Sequence, residues 1–174
     1  MSGPFGLEMG LSATEINAEQ VAPGAYKLMN VPQPHSAFES YLAKIAPNAG
    51  LFWIKAIGKN IISSSHGIEL RNAFLDMKNK LTQSYGNCES IDLLLPGSIW
   101  NEPKDYMMSL IKQERKLGAI WESAYGSKLK NNVKSVVLIA TAIDNSTGYL
   151  QIEYCFDNEV IGQIELSVEE DSAL

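Results

Sequence analysis

Cysteine, histidine and basic residues are all scarce in this chain of 174 residues. Its two cysteines, Cys88 and Cys155, are too few for a disulfide framework, so we expect both to be reduced thiols in a cytoplasmic protein. Lysine and arginine number 14 against 20 acidic residues, for a formal net charge of −6. A nucleic-acid-binding role therefore has little electrostatic support.

Long apolar runs and nucleotide-binding motifs are also missing. No run approaches the roughly 20 apolar residues of a membrane-spanning helix, and the first residues lack the basic and apolar segments of a secretory signal. Neither G-x-G-x-x-G nor G-x-x-x-x-G-K-[ST] occurs, which excludes nucleotide binding through those loops. We expect a soluble cytoplasmic protein whose partners include neither membranes nor nucleic acids.

The titratable side chains form no convincing catalytic or metal-binding set. His35 and His66 have no second good ligand within a helical turn, which favours solvated or capping histidines over metal ligands. Cys88 could be a nucleophile with His66 as its base, although a buried or incidental thiol is far commoner. Glu102 and Asp105 lie in the first turn of a predicted helix, where the helix dipole favours carboxylates in any case. We predict a non-enzymatic protein with no metal and no cofactor.

What the sequence does contain is one strong helical pattern, over residues 67–86. Its apolar residues recur at spacings of four, three, four and four, which is the stripe of an amphipathic helix packed on a core. They are Leu70, Phe74, Met77, Leu81 and Tyr85. Gly86 follows where a glycine cap would end the helix.

Strand patterns surround this central helix. Residues 38–45 with 51–57, and 133–143 with 148–156, predict two antiparallel hairpins because turn residues separate alternating apolar runs. The segments 91–95 and 117–123 also predict strands, the first either buried or merely extended, and 160–168 predicts an edge strand.

Two further helices are predicted from their capping residues. Ser12 and Glu15 form a capping-box pattern, which predicts a short helix to about Gln20. Asn101 followed by Pro103 predicts a helix that runs to about Arg115.

The two hairpins share a pattern of strand, turn, glycine, aromatic residue and alternating strand. We therefore predict an α+β fold of two helix-then-antiparallel-sheet modules in tandem, over residues 5–62 and 66–168, with the helices packed on one sheet face. The modules would form a single compact domain over residues 1–174. The alternative is that any two hairpins look alike at this level of detail.

Two segments resemble known families. Residues 6–16, GLEMGLSATEI, resemble the opening of modules of the β-lactamase inhibitor protein and outer-membrane assembly lipoprotein (SmpA/OmlA) type. That resemblance implies a short helix packed on a small antiparallel sheet, in tandem copies, but the chain lacks the lipoprotein signal and the paired cysteines, so neither activity carries over. Residues 94–110, with PGSIWNEP at their centre, resemble a stretch of uncharacterised small bacterial cytosolic proteins, which implies no mechanism.

Two surfaces are candidates for binding a partner. Aromatic and charged side chains alternate with core residues along two strands, as on an interaction surface or on an ordinary polar outer face. This sheet surface comprises Trp53, Lys55, Tyr149, Gln151 and Glu153, with Trp53 and Tyr149 as the expected anchors. The rival is the loop with Ser98, Trp100, Asn101 and Glu102, whose tryptophan either binds a partner or packs back ahead of the helix cap.

The function expected from these patterns is non-enzymatic inhibition of a protein partner. An immunity-type protein that neutralises a protein toxin fits a small acidic cytosolic domain, and a phage-encoded inhibitor of a host defence protein is the alternative. A third possibility is a small-ligand binder or enzyme with a pocket between helices and sheet, using Glu102, Asp105 or His66. Bacterial or phage origin and oligomeric state stay open.

Overall fold

The computed structural model describes residues 3–174, which contain three α-helices and nine β-strands. In chain order the elements are β1 (Ala18–Ala22), β2 (Ala25–Leu28), β3 (Phe38–Ala46), β4 (Gly50–Gly58), β5 (Ile61–Ile62), α1 (Ile68–Tyr85), β6 (Glu89–Leu94), α2 (Tyr106–Ile111), β7 (Arg115–Trp121), β8 (Val133–Asp144), β9 (Thr147–Phe156) and α3 (Glu159–Asp171). The predicted mixture of helices with an antiparallel sheet is confirmed. The tandem modules and the packing of all helices on one sheet face stay predictions.

The strands form one antiparallel sheet in the order β1-β2-β3-β4-β9-β8-β7-β6, with β5 paired to β9. The predicted hairpins are present as β3–β4 and β8–β9. They lie in the middle of the strand order, which leaves β1 and β6 at its ends. An end strand has one row of backbone groups without a neighbouring strand, so these two positions are where a sheet can be extended.

Backbone contacts divide the chain into two compact units. Unit 1 comprises the chain up to Ala56, residues 129–136 and residues 153–174, and unit 2 comprises residues 57–128 and 137–152. Because strands β4, β8 and β9 run through both units, each unit is assembled from segments far apart in the sequence. The predicted division into residues 5–62 and 66–168 stays a prediction.

Helix α1 supplies a large part of the apolar core of unit 2. Its stripe of Leu70, Phe74, Met77, Leu81 and Tyr85 is buried, as the spacing predicts. Gly148 on β9 lies directly under this helix, because a β-carbon there would come within 2.8 Å of Leu70. Gly86 ends the helix at φ 76°, and its carbonyl accepts a hydrogen bond from the indole of Trp121 at 3.0 Å.

The helix predicted after Ser12 is wrong, even though its capping box forms. The Ser12 amide donates to the Glu15 carboxylate at 2.7 Å, and the Glu15 amide donates to the Ser12 hydroxyl at 3.2 Å. Asn17 then adopts a left-handed conformation at φ 50°, and the chain enters β1 at Ala18. Residues that the capping motif assigned to a helix therefore pair with β2 as strand β1 instead.

The edge strand predicted over residues 160–168 is also wrong, because this segment is helix α3. Val160, Ile164, Leu166 and Val168 fit a two-residue alternation, but Val160, Ile164 and Val168 equally fit a four-residue helical spacing. Contact with unit 1 decides between them. Gly162 is buried against Phe52, so closely that a β-carbon there would lie 2.3 Å from the phenyl ring.

The helix predicted from Asn101 to Arg115 is shorter than expected, and its cap is Glu102 rather than Asn101. A 3-10 turn over Pro103–Asp105 precedes α2, and Glu102 and Asp105 form a reciprocal capping box. Gln113 adopts a left-handed conformation at φ 58°, which stops the helix. Arg115 already belongs to β7, where it lies opposite Leu94.

Candidate functional site

The five residues of the predicted sheet surface lie on two strands. Trp53 and Lys55 are on β4, and Tyr149, Gln151 and Glu153 alternate along β9. All five are only half-buried. The Lys44 ammonium lies 4.7 Å from the centre of the Trp53 ring, and the Lys55 ammonium lies 3.9 Å from the Glu153 carboxylate. The tryptophan and these charges already have partners within unit 1, which lowers the gain from a new contact.

The rival loop is held mainly by its own contacts. Ser98 is buried, and its hydroxyl accepts a hydrogen bond from the Trp100 amide at 3.2 Å. Trp100 is half-buried, whereas Asn101 and Glu102 are exposed. The most exposed apolar residue of this loop is Ile99, at 75%, which the sequence reading did not select.

His66 and Cys88, considered as a base and a nucleophile, lie before and after the 18-residue helix α1, so the length of this helix separates them. Among the described residues, no three or more His, Cys, Asp or Glu side chains are placed to hold a metal ion. His35 accepts a hydrogen bond from the Ala37 amide at 3.1 Å and contacts the Phe38 ring at its edge. Burial raises the pKa of Cys155, which disfavours its reactive thiolate.

Helix α3 carries an apolar surface that the sequence analysis missed. Val160, Ile161, Ile164 and Val168 are each between 56% and 65% exposed, and we call them the α3 surface. With 3.6 residues per turn, they lie on the side of the helix away from Gly162. Treating residues 160–168 as a helix would have revealed the stripe, but only the folded structure shows that these residues are exposed.

The opposite side of α3 is fixed to unit 1 by several specific contacts. The Glu165 carboxylate accepts hydrogen bonds from the Asn48 and Ala49 amides, both at 2.8 Å. These amides hold the pKa of Glu165 below its usual value, with Ala49 contributing most. The side-chain amide of Asn158 donates to the Ala49 carbonyl at 2.9 Å. The helix therefore has a defined orientation, and its apolar stripe points outwards as a consequence.

The charge around the α3 surface has one sign. Residues 157–174 contain six acidic and no basic side chains. Lys134 pairs with Glu159 at 3.3 Å, and Glu165 is bonded to backbone amides, but Glu169, Glu170 and Asp171 are exposed. An apolar stripe beside exposed carboxylates favours contact with an apolar surface that also carries positive charge.

A cavity of about 710 Å³ adjoins the C-terminal half of α3. The β1–β2 turn with Tyr26 forms one side, and Leu166, Glu169 and Glu170 form the other. Carboxylates beside an aromatic ring suit a lysine or arginine side chain, through ion pairing and through attraction to the ring face.

Unit 2 has a second, more apolar depression. This groove of about 580 Å³ is lined by β6, β7, β8 and the region after α2, including Ile91, Gly118, Ile120, Val137 and Ile139. Gly118 contributes no side chain, so the groove reaches the backbone there. Its charged lining residues are Glu89 on β6 and Arg115 and Lys116 at the start of β7.

A polar cluster fixes the other side of β6. The Tyr106 hydroxyl donates to Asp92 at 2.9 Å, and the Arg115 guanidinium pairs with the same carboxylate at 2.7 Å. Arg71 and Arg115 each lie 4.5 Å from the Tyr106 ring centre. Burial, reinforced by the Asp92 charge, raises the pKa of Tyr106. The cluster shows that Asp92 lies on the side of β6 that faces α2.

Comparison with known proteins gives no family. No protein-family model, no curated protein and no solved structure matches this chain. Among the described residues, no helix is long and apolar enough to cross a membrane. The resemblances of residues 6–16 and 94–110 to known families stay predictions.

Proposed function

We propose that this protein is a non-enzymatic binding protein that inhibits a protein partner, and that the α3 surface is its interface. The observation that supports the proposal is the set of four exposed apolar residues on a helix whose other side is fixed. A rigid, pre-oriented apolar surface loses little conformational freedom on binding. Exposed apolar stripes on helices commonly serve as anchors for a partner.

The partner we propose is a protein with a basic and apolar surface. Acidic side chains next to the stripe would attract it and set its orientation, while the apolar residues would supply most of the affinity. The cavity beside Glu169 and Glu170 would accept one of its basic side chains. Nucleic acids and anionic lipids carry the wrong charge for this surface.

Within this class we propose an immunity-type protein that neutralises a protein toxin. A phage-encoded inhibitor of a host defence protein is the alternative, because the same surface chemistry serves both. Co-expression with genomic neighbours separates the two, since the captured partner would be either an adjacent toxin or a defence protein.

The experiment that tests the proposal is affinity capture with a matched pair of variants. Wild-type protein, Ile164→Lys and Gln163→Lys are each used as bait in the native host, with genomic neighbours co-expressed. Both variants add one positive charge to neighbouring exposed positions of α3, but only Ile164 belongs to the α3 surface. We expect a stoichiometric partner with wild type and Gln163→Lys, and its loss with Ile164→Lys. Absence of any partner, or equal capture by all three proteins, would contradict the proposal.

The small-ligand alternative has less support. Neither of the two cavities described above is lined by Glu102, Asp105 or His66. A metabolite screen by thermal shift would revive it if a ligand stabilised the wild type but not Asp105→Asn.

A further inference from the structure

Strand β6 has three properties that rarely occur together in the end strand of a sheet. It is the last strand of the sheet order, it is six residues long, and its apolar side chains Ile91 and Leu93 are 42% and 55% exposed. Natural proteins usually protect such strands with charge, proline or a covering element. An occupant that pairs with β6 would remove both the unpaired backbone row and the exposed apolar residues.

We propose that the occupant is a second copy of this chain, joined by antiparallel β6–β6 pairing about a two-fold axis at Ile91. This goes beyond the proposed function, because it concerns unit 2 and a different partner. An isologous pairing needs a strand whose pattern is complementary to its own reverse.

The backbone orientation limits the registers that are allowed. The Leu95 amide donates to the Glu114 carbonyl of the neighbouring chain segment at 2.7 Å, so Leu93, Ile91 and Glu89 also turn their backbone groups towards β7. Ser90, Asp92 and Leu94 therefore turn theirs outwards. A symmetric pairing must join these outward groups, and the two registers that use most of the strand place either Ile91 or Asp92 opposite itself.

Charge distinguishes the two registers. With Asp92 on the axis, two carboxylates lie opposite each other, each paired with Arg115 of its own chain at 2.7 Å, and Glu89 lies next to the Leu95–Glu114 pair of the second copy. Like charges directly opposite on a sheet are destabilising, and the pairing with Arg115 reduces this cost without removing it. With Ile91 on the axis, Ser90 lies opposite Asp92 and Glu89 lies opposite Leu93 of the second copy.

The Ile91 register also brings opposite charges together. Within one chain Leu93 pairs with Lys116, and Glu89 pairs with Ile120. Glu89 of one copy would thus lie beside Leu93 of the other and two strands, about 10 Å between backbones, from its Lys116, a separation that the two long side chains together can span. The symmetry makes this contact twice. Apolar contact between the two Ile91 side chains would occupy the centre, next to the groove of unit 2.

The test is a cysteine cross-link that depends on register. In a Cys88→Ser, Cys155→Ser background, Ile91→Cys would place two thiols at a non-hydrogen-bonded antiparallel pair, with α-carbons about 4.5 Å apart. That separation allows a disulfide. Leu93→Cys is the matched control, because its opposite residue is Glu89. We expect oxidation to give a covalent dimer with Ile91→Cys and little with Leu93→Cys. Equal cross-linking of both variants, or of neither, would overturn the proposal.

Charge exchange gives a second measurement without cysteines. Sedimentation up to about 1 mM protein should show a dimer that Glu89→Lys or Lys116→Glu weakens at least tenfold. The double variant should recover most of the wild-type affinity, since it restores opposite charges across the axis. Ile62→Lys, an exposed isoleucine outside β6, should dimerise like wild type. A wild-type protein that stays monomeric over this range, or a double variant weaker than both single variants, would contradict the pairing.

Discussion

At the scale of single residues, the side chains that matter most for the stability of unit 2 are distinguished by their burial rather than by their chemistry. Phe74 and Tyr85 are 2% and 6% exposed on α1, and Trp121 is completely buried with its indole bonded to Gly86. Such residues report on unit 2 as a whole, because a packed interior cannot refill the space of a lost ring.

Phe74→Ala should lower the free energy of unfolding by about 3–5 kcal/mol, the range for removing a large side chain from a packed core. Urea unfolding measures this directly. Leu75→Ala is the matched control, since Leu75 is the next residue but half exposed, and it should cost about 0.5 kcal/mol or less. A midpoint for Phe74→Ala close to wild type would mean that α1 does not hold unit 2 together.

Tyr85 should make the protein sensitive to alkali. Burial raises the pKa of Tyr85 from 10.0 to about 12, so the unfolded chain releases this proton at lower pH than the folded chain. The stability from neutral Tyr85 is therefore complete below pH 10 and lost as the pH rises to about 12, by at most about 2.7 kcal/mol.

Urea unfolding between pH 9 and 12 tests this expectation. Tyr85→Phe cannot ionise, so its stability should fall less steeply with pH than that of wild type. Tyr125→Phe, at an exposed tyrosine, should follow the wild-type slope. Equal slopes for all three proteins would show that Tyr85 ionises as freely in the folded chain as in the unfolded one.

At the scale of elements, α3 is the clearest case of a helix defined by where it docks. Its buried side has one glycine fitted against Phe52, and its polar anchors are Glu165 and Asn158. Few apolar side chains hold it, so its attachment depends on hydrogen bonds more than that of α1 does.

Acid should loosen α3 through Glu165. The pKa of this carboxyl is lowered below its usual 4.5 because the Ala49 and Asn48 amides bond the charged form. The stabilisation is therefore present above pH 4.5 and is lost as the pH falls through the lower folded value.

Amide exchange along α3 measures this loss as protection factors at pH 5.5 and pH 3.5. We expect wild type to lose protection in α3 at the lower pH, and Glu165→Gln to have low protection already at pH 5.5. Glu170→Gln, at an exposed carboxylate of the same helix, is the control and should behave as wild type. Protection in α3 that is independent of pH would show that Glu165 does not anchor the helix.

At the scale of the whole molecule, the acidic charge and the positions of the exposed apolar residues bear on partner choice. A net charge of −6 attracts basic proteins at long range, and the interface then decides affinity. Three surfaces compete for that role, namely the α3 surface, the sheet surface with Trp53, and the loop with Trp100.

Side-by-side binding measurements decide among them once a partner is captured. Ile164→Lys should weaken binding at least thirtyfold, about 2 kcal/mol, as expected for a central anchor, while Trp53→Ala and Trp100→Ala change it little. Affinity should also fall as salt rises from 0.1 to 1 M, because the screening length shrinks from about 10 to about 3 Å. A large loss in Trp53→Ala alone would restore the sheet surface, and a large loss in Trp100→Ala alone would select the loop.

The sequence by itself determined the elements whose residue pattern fits only one kind of secondary structure. The five buried apolar residues of α1 recur along this helix of 18 residues, and only a helix puts them on one side, so the element and its core residues were both predicted. The β3–β4 and β8–β9 hairpins were equally clear because turn residues separate alternating strands.

Tertiary structure decided the segments whose local signals were ambiguous. The Ser12 capping box forms in a turn and no helix follows, since pairing with β2 outweighs a cap that contributes about 1 kcal/mol. Residues 160–168 satisfy both a strand and a helix period, and only the fit of Gly162 against Phe52 and the bonds to Glu165 select the helix. Exposure of the α3 surface and of β6 is likewise not encoded locally, because whether an apolar residue is covered depends on which distant segments reach it.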